Sequence, residues 1–559
     1  MAVSASEVER VLVSIADPFT PADQRAAFTK AIEELKEGDG EQLITIAFQL
    51  VSSHNPYVVH VGFNFIQHAI KFKWSSLPVQ TRVSLRDDIL NRIKIGPPPI
   101  PQSISGGSSA SRGHEWAEPV AGCVAAMAEQ EWPQNWPDMA EKLAMLAVQA
   151  ATPATSIAVI CVLRRLVEDV VVLTTVPNPK RRKEMHIAIH ASLPMWLRMS
   201  VTLFEDVKVD NSESLLVIKH LIGWLAIVVE WAQIPEIEPY VDVMVNHLVR
   251  FLSTADHSIY EVAAQCLTAF ASRKKANLAE KTIVDTFFRD NVIETLLETA
   301  NMAAQVAQSN ESHYKYLKAL CETLTTMGVH LCSVWSSTAE TTTRSLPPPT
   351  NFGRYMTALS AFSVHPSLYL RSEATNVLVR FASSPVIRKW KEFKQSIRAT
   401  VSRLPEMVEK TGQPSESPPT NISHYSRMDF DDDVEWAHDF MQYRTRVFNL
   451  VKEIVDDHHV ALLEMIQEKV LQRVATAPET IAAHEWDGMN KLAKAVLMAT
   501  FEKNLVEKGH WRLIVLETSS IRNIFCPFCS YTIANEALSV ISALSPLINI
   551  EATLIEVII

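Results

Sequence analysis

Residues 131–139 read Glu-Trp-Pro-Gln-Asn-Trp-Pro-Asp-Met, with two Trp-Pro pairs four residues apart. Each proline disfavours the helical conformation for the tryptophan before it and fixes its own φ. The stretch therefore predicts a stiff corner between two helices, with the indoles packed against neighbouring helices. We expect the next helix to begin within 134–139, because Pro137 suits a first helical turn and the Asp138 carboxylate suits the positive end of the helix dipole.

Helical periodicity continues on both sides of this corner. Apolar residues follow the i, i+3, i+4, i+7 spacing within 28–35 and 43–50. Paired helices recur at a loose period of about 40 residues, which is in the HEAT-repeat range. A single pair cannot bury its apolar stripe, so stacked pairs must share a core. The sequence predicts an all-α fold, a HEAT-repeat α-solenoid in which antiparallel helix pairs stack into a superhelix with a concave binding face.

The composition agrees with a helical array. A chain of 559 residues is too long for one ordinary core, and its 14 glycines are few for a protein rich in sheets and turns. The formal net charge of −11 argues against a general nucleic-acid-coating protein, which would be basic, and implies that any RNA-binding charge is local. The apolar run 215–231 contains charged residues and is short for a membrane span, so we expect a buried helix.

The sequence offers little support for an enzyme. Cys526 and Cys529 have the spacing of a zinc knuckle or redox pair, but a structural zinc needs four ligands, so packed thiols are favoured. His186 and His190 lie i, i+4 without the glutamate of the zinc-protease motif. We therefore expect no catalytic residues, no metal and no cofactor bound by the chain itself.

Two basic clusters are candidates for RNA phosphate contacts. Arg181 and Arg182 lie in a run of four basic residues that would serve equally well as a nuclear localisation signal or a solvated helix start. Lys391, Lys394 and Arg398 fall on one helical face, with Trp390 and Phe393 nearby. Such a stripe could track an RNA backbone without reading its sequence, and a solvated helix face is the competing interpretation.

One acidic run is a candidate contact for a basic protein surface. It comprises Asp429, Asp431, Asp432 and Asp433. Carboxylates at a helix start also interact favourably with the helix dipole, and this structural explanation is sufficient by itself. If the run does face a partner, rim charges of this kind affect the rate of association more than the affinity.

The Trp-Pro corner also resembles a signature of the importin-β/karyopherin superfamily, and most closely its branch that exports double-stranded RNA. Ordered matches extend from about residue 5 to about residue 450. They include residues 59–62, 68–74, 163–170, 272–274, 313–318, 351–355, 365–372 and 425–431.

This resemblance implies a nuclear export receptor that binds the small GTPase Ran in its GTP form. The implied cargo is a hairpin or double-stranded RNA with a 3′ overhang, similar to a microRNA precursor. The receptor would be monomeric, bind nuclear-pore Phe-Gly repeats and shuttle between nucleus and cytoplasm, with the GTP held by Ran. The resemblance places Ran on the N-terminal repeats, where the candidate contacts are Lys71, Lys73, Trp74, Glu168 and Asp169. Core packing is the alternative for Trp74.

Four segments follow from the resemblance and the loop composition. Residues 1–175 form N-terminal repeats with a mobile insertion at 95–113, 176–410 form central repeats, 411–430 form a polar loop, and 431–559 form further repeats with a truncated end. The truncation is expected because the family is about twice as long and residues 547–559 are apolar.

Two other interpretations remain. One is a karyopherin that carries protein cargo. The other is a HEAT scaffold unrelated to transport, which would not distinguish the nucleotide states of Ran.

Overall fold

A computed structural model describes residues 4–97, 109–206, 211–254, 256–273, 282–338, 347–475, 483–503 and 505. The chain divides into two compact units, Met1–Phe270 and Ala271–Ile559. The long regular elements of both units are α-helices throughout these ranges.

The first unit contains twelve α-helices within the described residues. They are α1 (Ala5–Ala16), α2 (Ala22–Glu37), α3 (Gly40–Leu50), α4 (Pro56–Lys73), α5 (Val79–Ile95), α6 (Ser109–Glu131), α7 (Met139–Val148), α8 (Pro153–Val167), α9 (Pro179–Asp206), α10 (Ser212–Trp231), α11 (Ile234–Phe251) and α12 (His257–Ser272), which runs two residues past the boundary. Short helical turns follow α4 at Trp74–Ser76 and α8 at Glu168–Val172.

Helix starts in this unit are defined by short polar side chains. Ser4 and Glu7 form a capping box, in which each side chain satisfies a backbone N–H at the start of α1. The Asp39 carboxylate accepts from the backbone N–H of Gln42, 2.8 Å away. Asn55 caps α4, with Pro56 at the first helical position.

The helices of the first unit pack in two layers. Consecutive helices pair, as α1 with α2, α3 with α4, α5 with α6 and α7 with α8. Between pairs, α4, α6, α8 and α10 form one continuous row, and α7, α9 and α11 form part of the other. Stacked antiparallel pairs sharing a core confirm the predicted all-α HEAT-repeat architecture.

The second unit repeats this arrangement. Its helices within the described ranges are α13 (Thr282–Phe287), α14 (Asp290–Val306), α15 (Glu311–Thr338), α16 (Phe352–Ser363), α17 (Leu368–Ser383), α18 (Lys391–Val401), α19 (Leu404–Val408), α20 (Asn421–Asp429), α21 (Asp433–Ala475) and α22 (Ala483–Glu502). One row contains α15, α17 and α21, and the other contains α14, α16 and α18.

Several predicted boundaries differ from the structure. Within the predicted further repeats at 431–559, residues Asp433–Ala475 form one long helix, α21, in place of a helix pair. The predicted polar loop 411–430 contains α20, because the side chains of Thr420 and Ser423 cap its first turn reciprocally. In the predicted insertion 95–113, α6 begins at Ser109 and residues 98–108 lie outside the described residues. The apolar end at 547–559 and the Cys526/Cys529 pair lie outside them as well.

The Trp-Pro corner is part of the core, as predicted. Trp132 and Trp136 are buried, and the Trp132 ring stacks on Trp196 of α9 at 6.3 Å between centroids. The next helix, α7, begins at Met139, at the end of the expected interval.

Two helices in the described part of the chain, α9 and α10, are long and apolar enough to cross a membrane by length and composition. About half of each apolar stretch is buried against other helices, which fits the predicted buried helix at 215–231.

Candidate functional site

The row α4, α6 and α8 encloses a groove of about 460 Å³ in the first unit. Its polar side chains come from every helix of the row and from the segment after α8. They are Gln67, Lys71, Glu129, Gln130, Arg165, Asp169 and Thr175, with Phe72 beside them. We refer to this site as the α4–α8 groove.

Small residues on α6 form the floor of the groove. Gly122, Ala125 and Ala126 line it and let α4 approach α6 closely. A Cβ at Gly122 would lie 2.5 Å from Nε2 of Gln67, so no larger residue fits there without moving Gln67. That Nε2 atom donates to the Pro119 carbonyl oxygen at 3.0 Å, which fixes the Gln67 side chain against α6.

The end of α8 positions Asp169. Residues Glu168–Val172 form a π-helical turn, and Thr174 then adopts the left-handed conformation at φ 51°. This reversal brings the Thr175 hydroxyl within 2.9 Å of the Asp169 carboxylate, to which it donates. Asp169 therefore lies in the turn that ends α8 and not within the body of the helix. A single π turn inside an α-helical repeat is frequently found at functional sites.

The groove holds opposite charges close together. Burial raises the pKa of Glu129, Lys71 and Arg181 lower it, and Asp169 raises it further. These influences show that Lys71, Glu129 and Asp169 face the same space. The groove thus offers half-buried carboxylates and an exposed ammonium group to a partner.

The predicted N-terminal site residues separate into surface and core. Lys71 is exposed and lines the groove, whereas the Lys73 ammonium donates to the Gly38 carbonyl oxygen. Trp74 is buried and cannot be a direct contact, so core packing is the correct interpretation of this residue.

Sequence reasoning missed Phe72. Its side chain is 72% exposed at the edge of the groove, with its ring 4.8 Å from that of His68. The signal was present, since an aromatic residue next to an exposed lysine at the end of an amphipathic helix is a candidate anchor.

The buried Trp74 indole joins three helices. Its Nε1 donates to the Glu131 carboxylate at 2.7 Å, and the Arg82 guanidinium of α5 lies 3.7 Å from the same oxygen. Arg82 also lies over the Trp74 ring, 5.9 Å from its centroid. The first residue of the Trp-Pro corner, Glu131, is therefore a structural acceptor.

Glu168 belongs to a neighbouring ion-pair network. It lies 3.5 Å from Arg164, and Arg164 and Arg165 both contact Glu118 on α6. Burial opposes ionisation of Glu118, but the two arginines outweigh it and hold the pKa of that carboxyl below its usual value. The Glu168 carboxylate is thus already engaged in an ion pair within the fold.

Arg181 is a structural residue and not a phosphate contact. Its guanidinium donates to the carbonyl oxygens of Ala128, Glu129 and Trp132, at the end of α6 and in the corner. It also contacts the side chains of Gln134 and Glu184. Arg182, more open to solvent, donates to the Thr174 carbonyl oxygen at 3.2 Å.

The basic face of α18 is solvent-exposed in the second unit. Lys391, Lys394 and Arg398 are all exposed, as predicted for one helical face, and we call them the α18 face. Trp390 and Phe393 are buried and are not available to stack on bases.

Helix α21 lies beside the α18 face and carries both a histidine and two acidic residues there. His458 lies close enough for Arg398 and Lys394 to lower its pKa, after burial as the main cause. Arg388, by contrast, forms ion pairs with Asp456 and Asp457, which neutralise its charge within the fold.

Most carboxylates of the acidic run form hydrogen bonds or ion pairs within the protein. Asp429 is buried at its side chain, where it pairs with Lys318 at 2.9 Å and accepts from the Tyr314 hydroxyl. Asp432 accepts from two backbone N–H groups at the start of α21, and Asp433 accepts from Ser415. The helix-start explanation therefore describes Asp432 and Asp433, whereas Asp429 ends α20 and is held by Lys318 and Tyr314. Asp431 remains exposed.

A second cavity of about 450 Å³ lies between α5 and α7 of the first unit. Its apolar wall is formed by Leu90, Met145, Leu146, Ala150 and Ala151, and its rim carries Asp87, Lys94 and Lys142. We call it the α5–α7 pocket. Among the residues that the structure describes, no group of three or more His, Cys, Asp or Glu side chains could hold a metal ion.

Comparisons with known proteins agree with the resemblance seen in the sequence. The family model described as Exportin-5 matches residues 311–510, and the model described as Exportin 1-like protein matches residues 118–267. Exportin-5 of Homo sapiens is 27% identical over 455 residues, covering 77% of this chain and 35% of the relative. Exportin-5 of Mus musculus is 27% identical over 479 residues, covering 80% and 36%.

Importin beta is one similar solved structure. It aligns with 96% of this chain and 72% of its own at 12% identity, with a TM-score of 0.32, too low to compare the two folds in detail.

These matches are consistent with a partial protein of the karyopherin family, the class that the ordered motifs resemble. Within that family its similarity is to exportin-5, which confirms the more specific resemblance of the Trp-Pro corner and the other motifs. The chain spans about a third of the length of these relatives.

Proposed function

We propose that the chain acts in nuclear export as a karyopherin-type receptor that binds Ran-GTP through the α4–α8 groove. The single observation that carries this proposal is the convergence of Lys71, Phe72, Glu129 and Asp169 on one groove in the N-terminal unit. Two of them, Lys71 and Asp169, are residues for which the family resemblance implies Ran contact.

The groove has the composition of a protein-binding site. Phe72 is an exposed aromatic anchor, and such residues carry much of the energy of an interface when a partner covers them. The flanking charges of both signs supply orientation and partner choice. Asp169 is held by Thr175, so its carboxylate is preorganised and loses little side-chain entropy on binding.

RNA cargo is the finer part of the proposal, and the α18 face is its candidate contact. Three exposed cations on one face of a helix attract the phosphates of a nucleic-acid backbone without reading its sequence. Such contacts suit a protein that recognises an A-form stem by its shape. The burial of Trp390 and Phe393 argues against base stacking at this face.

Passage through the pore requires a site for Phe-Gly repeats, and the α5–α7 pocket is our candidate. Its apolar wall and polar rim are typical of a site that accepts one aromatic side chain. Met145 is half exposed there and can adapt to an inserted ring.

The experiment is to measure binding of the chain to Ran loaded with a non-hydrolysable GTP analogue or with GDP, by calorimetry and gel filtration. We expect preference for the GTP form and loss of that binding in Lys71→Ala/Asp169→Asn. The matched control is Lys30→Ala/Asp23→Asn, which changes the same charges on the exposed surface of α2 in the same unit. Equal binding of both nucleotide forms by folded protein would overturn the receptor assignment.

A hairpin RNA with a 3′ overhang, added to the same experiment, tests the cargo. Enhanced binding of Ran-GTP with the hairpin would support RNA export, because two ligands that favour one state raise the affinity of each other. Nucleotide-dependent Ran binding that the hairpin leaves unchanged would support a karyopherin with protein cargo instead.

A further inference from the structure

The interface of α17 and α21 in the second unit contains a buried arginine without an acceptor. Arg371, in the first turn of α17, is 5% exposed, and its Nε and Nη2 atoms have no hydrogen-bond partner. Its guanidinium lies over the Tyr443 ring of α21, 5.2 Å from the centroid. A buried cation is costly unless an anion or acceptor compensates it, and two guanidinium nitrogen atoms of Arg371 are free to donate to one.

The groups around Arg371 are hydroxyls, and they are unsatisfied as well. The Tyr443 hydroxyl and the Thr375 hydroxyl are fully buried and lie next to each other, and neither has a partner elsewhere in the fold. Thr375 lies one turn further along α17, near enough to Tyr443 to act on its pKa. The Glu373 carboxylate on the same helix is paired instead with Arg446, at 3.4 Å.

The start of α17 adds positive potential. Ser367 caps this 16-residue helix, and its first turn carries the positive end of the helix dipole. Guanidinium N–H groups, two hydroxyl donors and a helix N-terminus together form the surroundings in which proteins bind small anions.

We propose that a monovalent anion of chloride size binds between α17 and α21, held by the Arg371 guanidinium and the Tyr443 and Thr375 hydroxyls. The anion neutralises the buried charge and accepts the hydrogen bonds that the protein leaves unmade. This site is independent of the groove, the α18 face and the α5–α7 pocket, so its test does not depend on Ran or RNA.

Arg444 offers a matched control within the same unit. It is also buried and lies over an aromatic ring, that of Phe440 at 4.9 Å. In contrast to Arg371, it donates twice to the Val408 carbonyl oxygen and pairs with Asp487 at 2.8 Å. Its loss should destabilise the fold without changing any dependence on anions.

The test is thermal and denaturant unfolding of the whole chain at constant ionic strength, with chloride replacing gluconate from 1 to 100 mM. Above the dissociation constant, each tenfold rise in chloride should multiply the ratio of folded to unfolded protein about tenfold. Arg371→Met should abolish this dependence and Arg444→Met should retain it. If Arg371→Met does not fold, Tyr443→Phe and Thr375→Val remove one donor each and should weaken the dependence.

A second measurement locates the ion. Crystals soaked in bromide should show an anomalous peak beside Arg371. An ordered water at that place, or a chloride dependence equal in Arg371→Met and wild type, would overturn the proposal.

Discussion

The α4–α8 groove and the α18 face are built differently, and we therefore expect them to recognise partners in different ways. In the groove, charged side chains of both signs are half-buried, oriented by neighbours such as Thr175 and placed beside an aromatic anchor. On the α18 face, three cations of one sign extend into solvent from one helix. The first arrangement can select one partner by shape, whereas the second attracts any polyanion and is weakened by salt. The predictions below test this difference.

The largest effect should be the difference in stability between alanine variants of the buried Trp74 and the exposed Phe72. Trp74→Ala should lower the free energy of unfolding by about 3–5 kcal/mol, because it empties a buried site and removes the hydrogen bond to the Glu131 carboxylate. Phe72→Ala, two residues away, should change it by less than about 0.5 kcal/mol. Denaturant unfolding of both variants measures the contrast, and similar losses would show that Phe72 is also part of the core.

The second effect is on the salt dependence of the affinity for a hairpin RNA. Replacing Lys391, Lys394 and Arg398 by alanine should reduce the slope of log affinity against log salt for a hairpin RNA by about 2–3, since each phosphate contact contributes about 0.9. Filter binding at 50 to 200 mM salt measures this slope. Lys71→Ala, in the groove, is the control and should leave the slope unchanged. An unaltered slope in the triple variant would remove the α18 face as an RNA contact.

The third effect compares two glutamates of α6, whose replacement by glutamine should change the melting temperature at pH 7 in opposite directions. The pKa of Glu129 is raised in the folded protein, so its ionised form costs stability above the unfolded pKa. Glu129→Gln should therefore raise the melting temperature at pH 7, and the gain should disappear as the pH falls towards 4.

Glu118 provides the opposite case. Its pKa is lowered by Arg164 and Arg165 against the effect of burial, so ionised Glu118 stabilises the fold at neutral pH. Glu118→Gln should lower the melting temperature at pH 7, and the loss should diminish as acid protonates the wild-type carboxyl. Calorimetric scans at pH 4 and 7 check both variants, and shifts of the same sign at pH 7 would contradict the assigned environments.

The smallest effect is expected at Asp431. This exposed residue is the member of the acidic run with the least structural use, so Asp431→Asn should alter unfolding by less than about 0.5 kcal/mol. Any role in partner binding should appear as a slower association rate that salt removes, measured by stopped flow. A changed dissociation rate would indicate a buried contact instead.

The sequence predicted the helix pairs because apolar periodicity and capping residues are local signals. It did not separate Trp74 from Phe72, because α4 ends at Lys73 and the next residues form a different helical turn, which changes the side-chain directions. No local pattern reveals where that change falls.

Contacts between residues far apart in the chain could not be predicted from the sequence either. Arg181 was a candidate phosphate contact in the sequence, because the carbonyl oxygens to which it donates are about fifty residues away in the chain. For the acidic run, helix-start chemistry was a sufficient explanation, and the structure agrees for Asp432. The groove itself required the close approach of α4 and α6 at Gly122, which a single sequence does not show.

The central claim is that the groove binds Ran-GTP through its exposed aromatic anchor, and one pair of variants tests it most directly. Phe19 and Phe72 are both strongly exposed phenylalanines of the first unit, and Phe19 lies between α1 and α2, outside the groove. Calorimetry with GTP-loaded Ran should show that Phe72→Ala weakens binding about 30-fold or more, the range of an interface hot spot, while Phe19→Ala binds as wild type does. Equal affinities for the two variants would contradict the account.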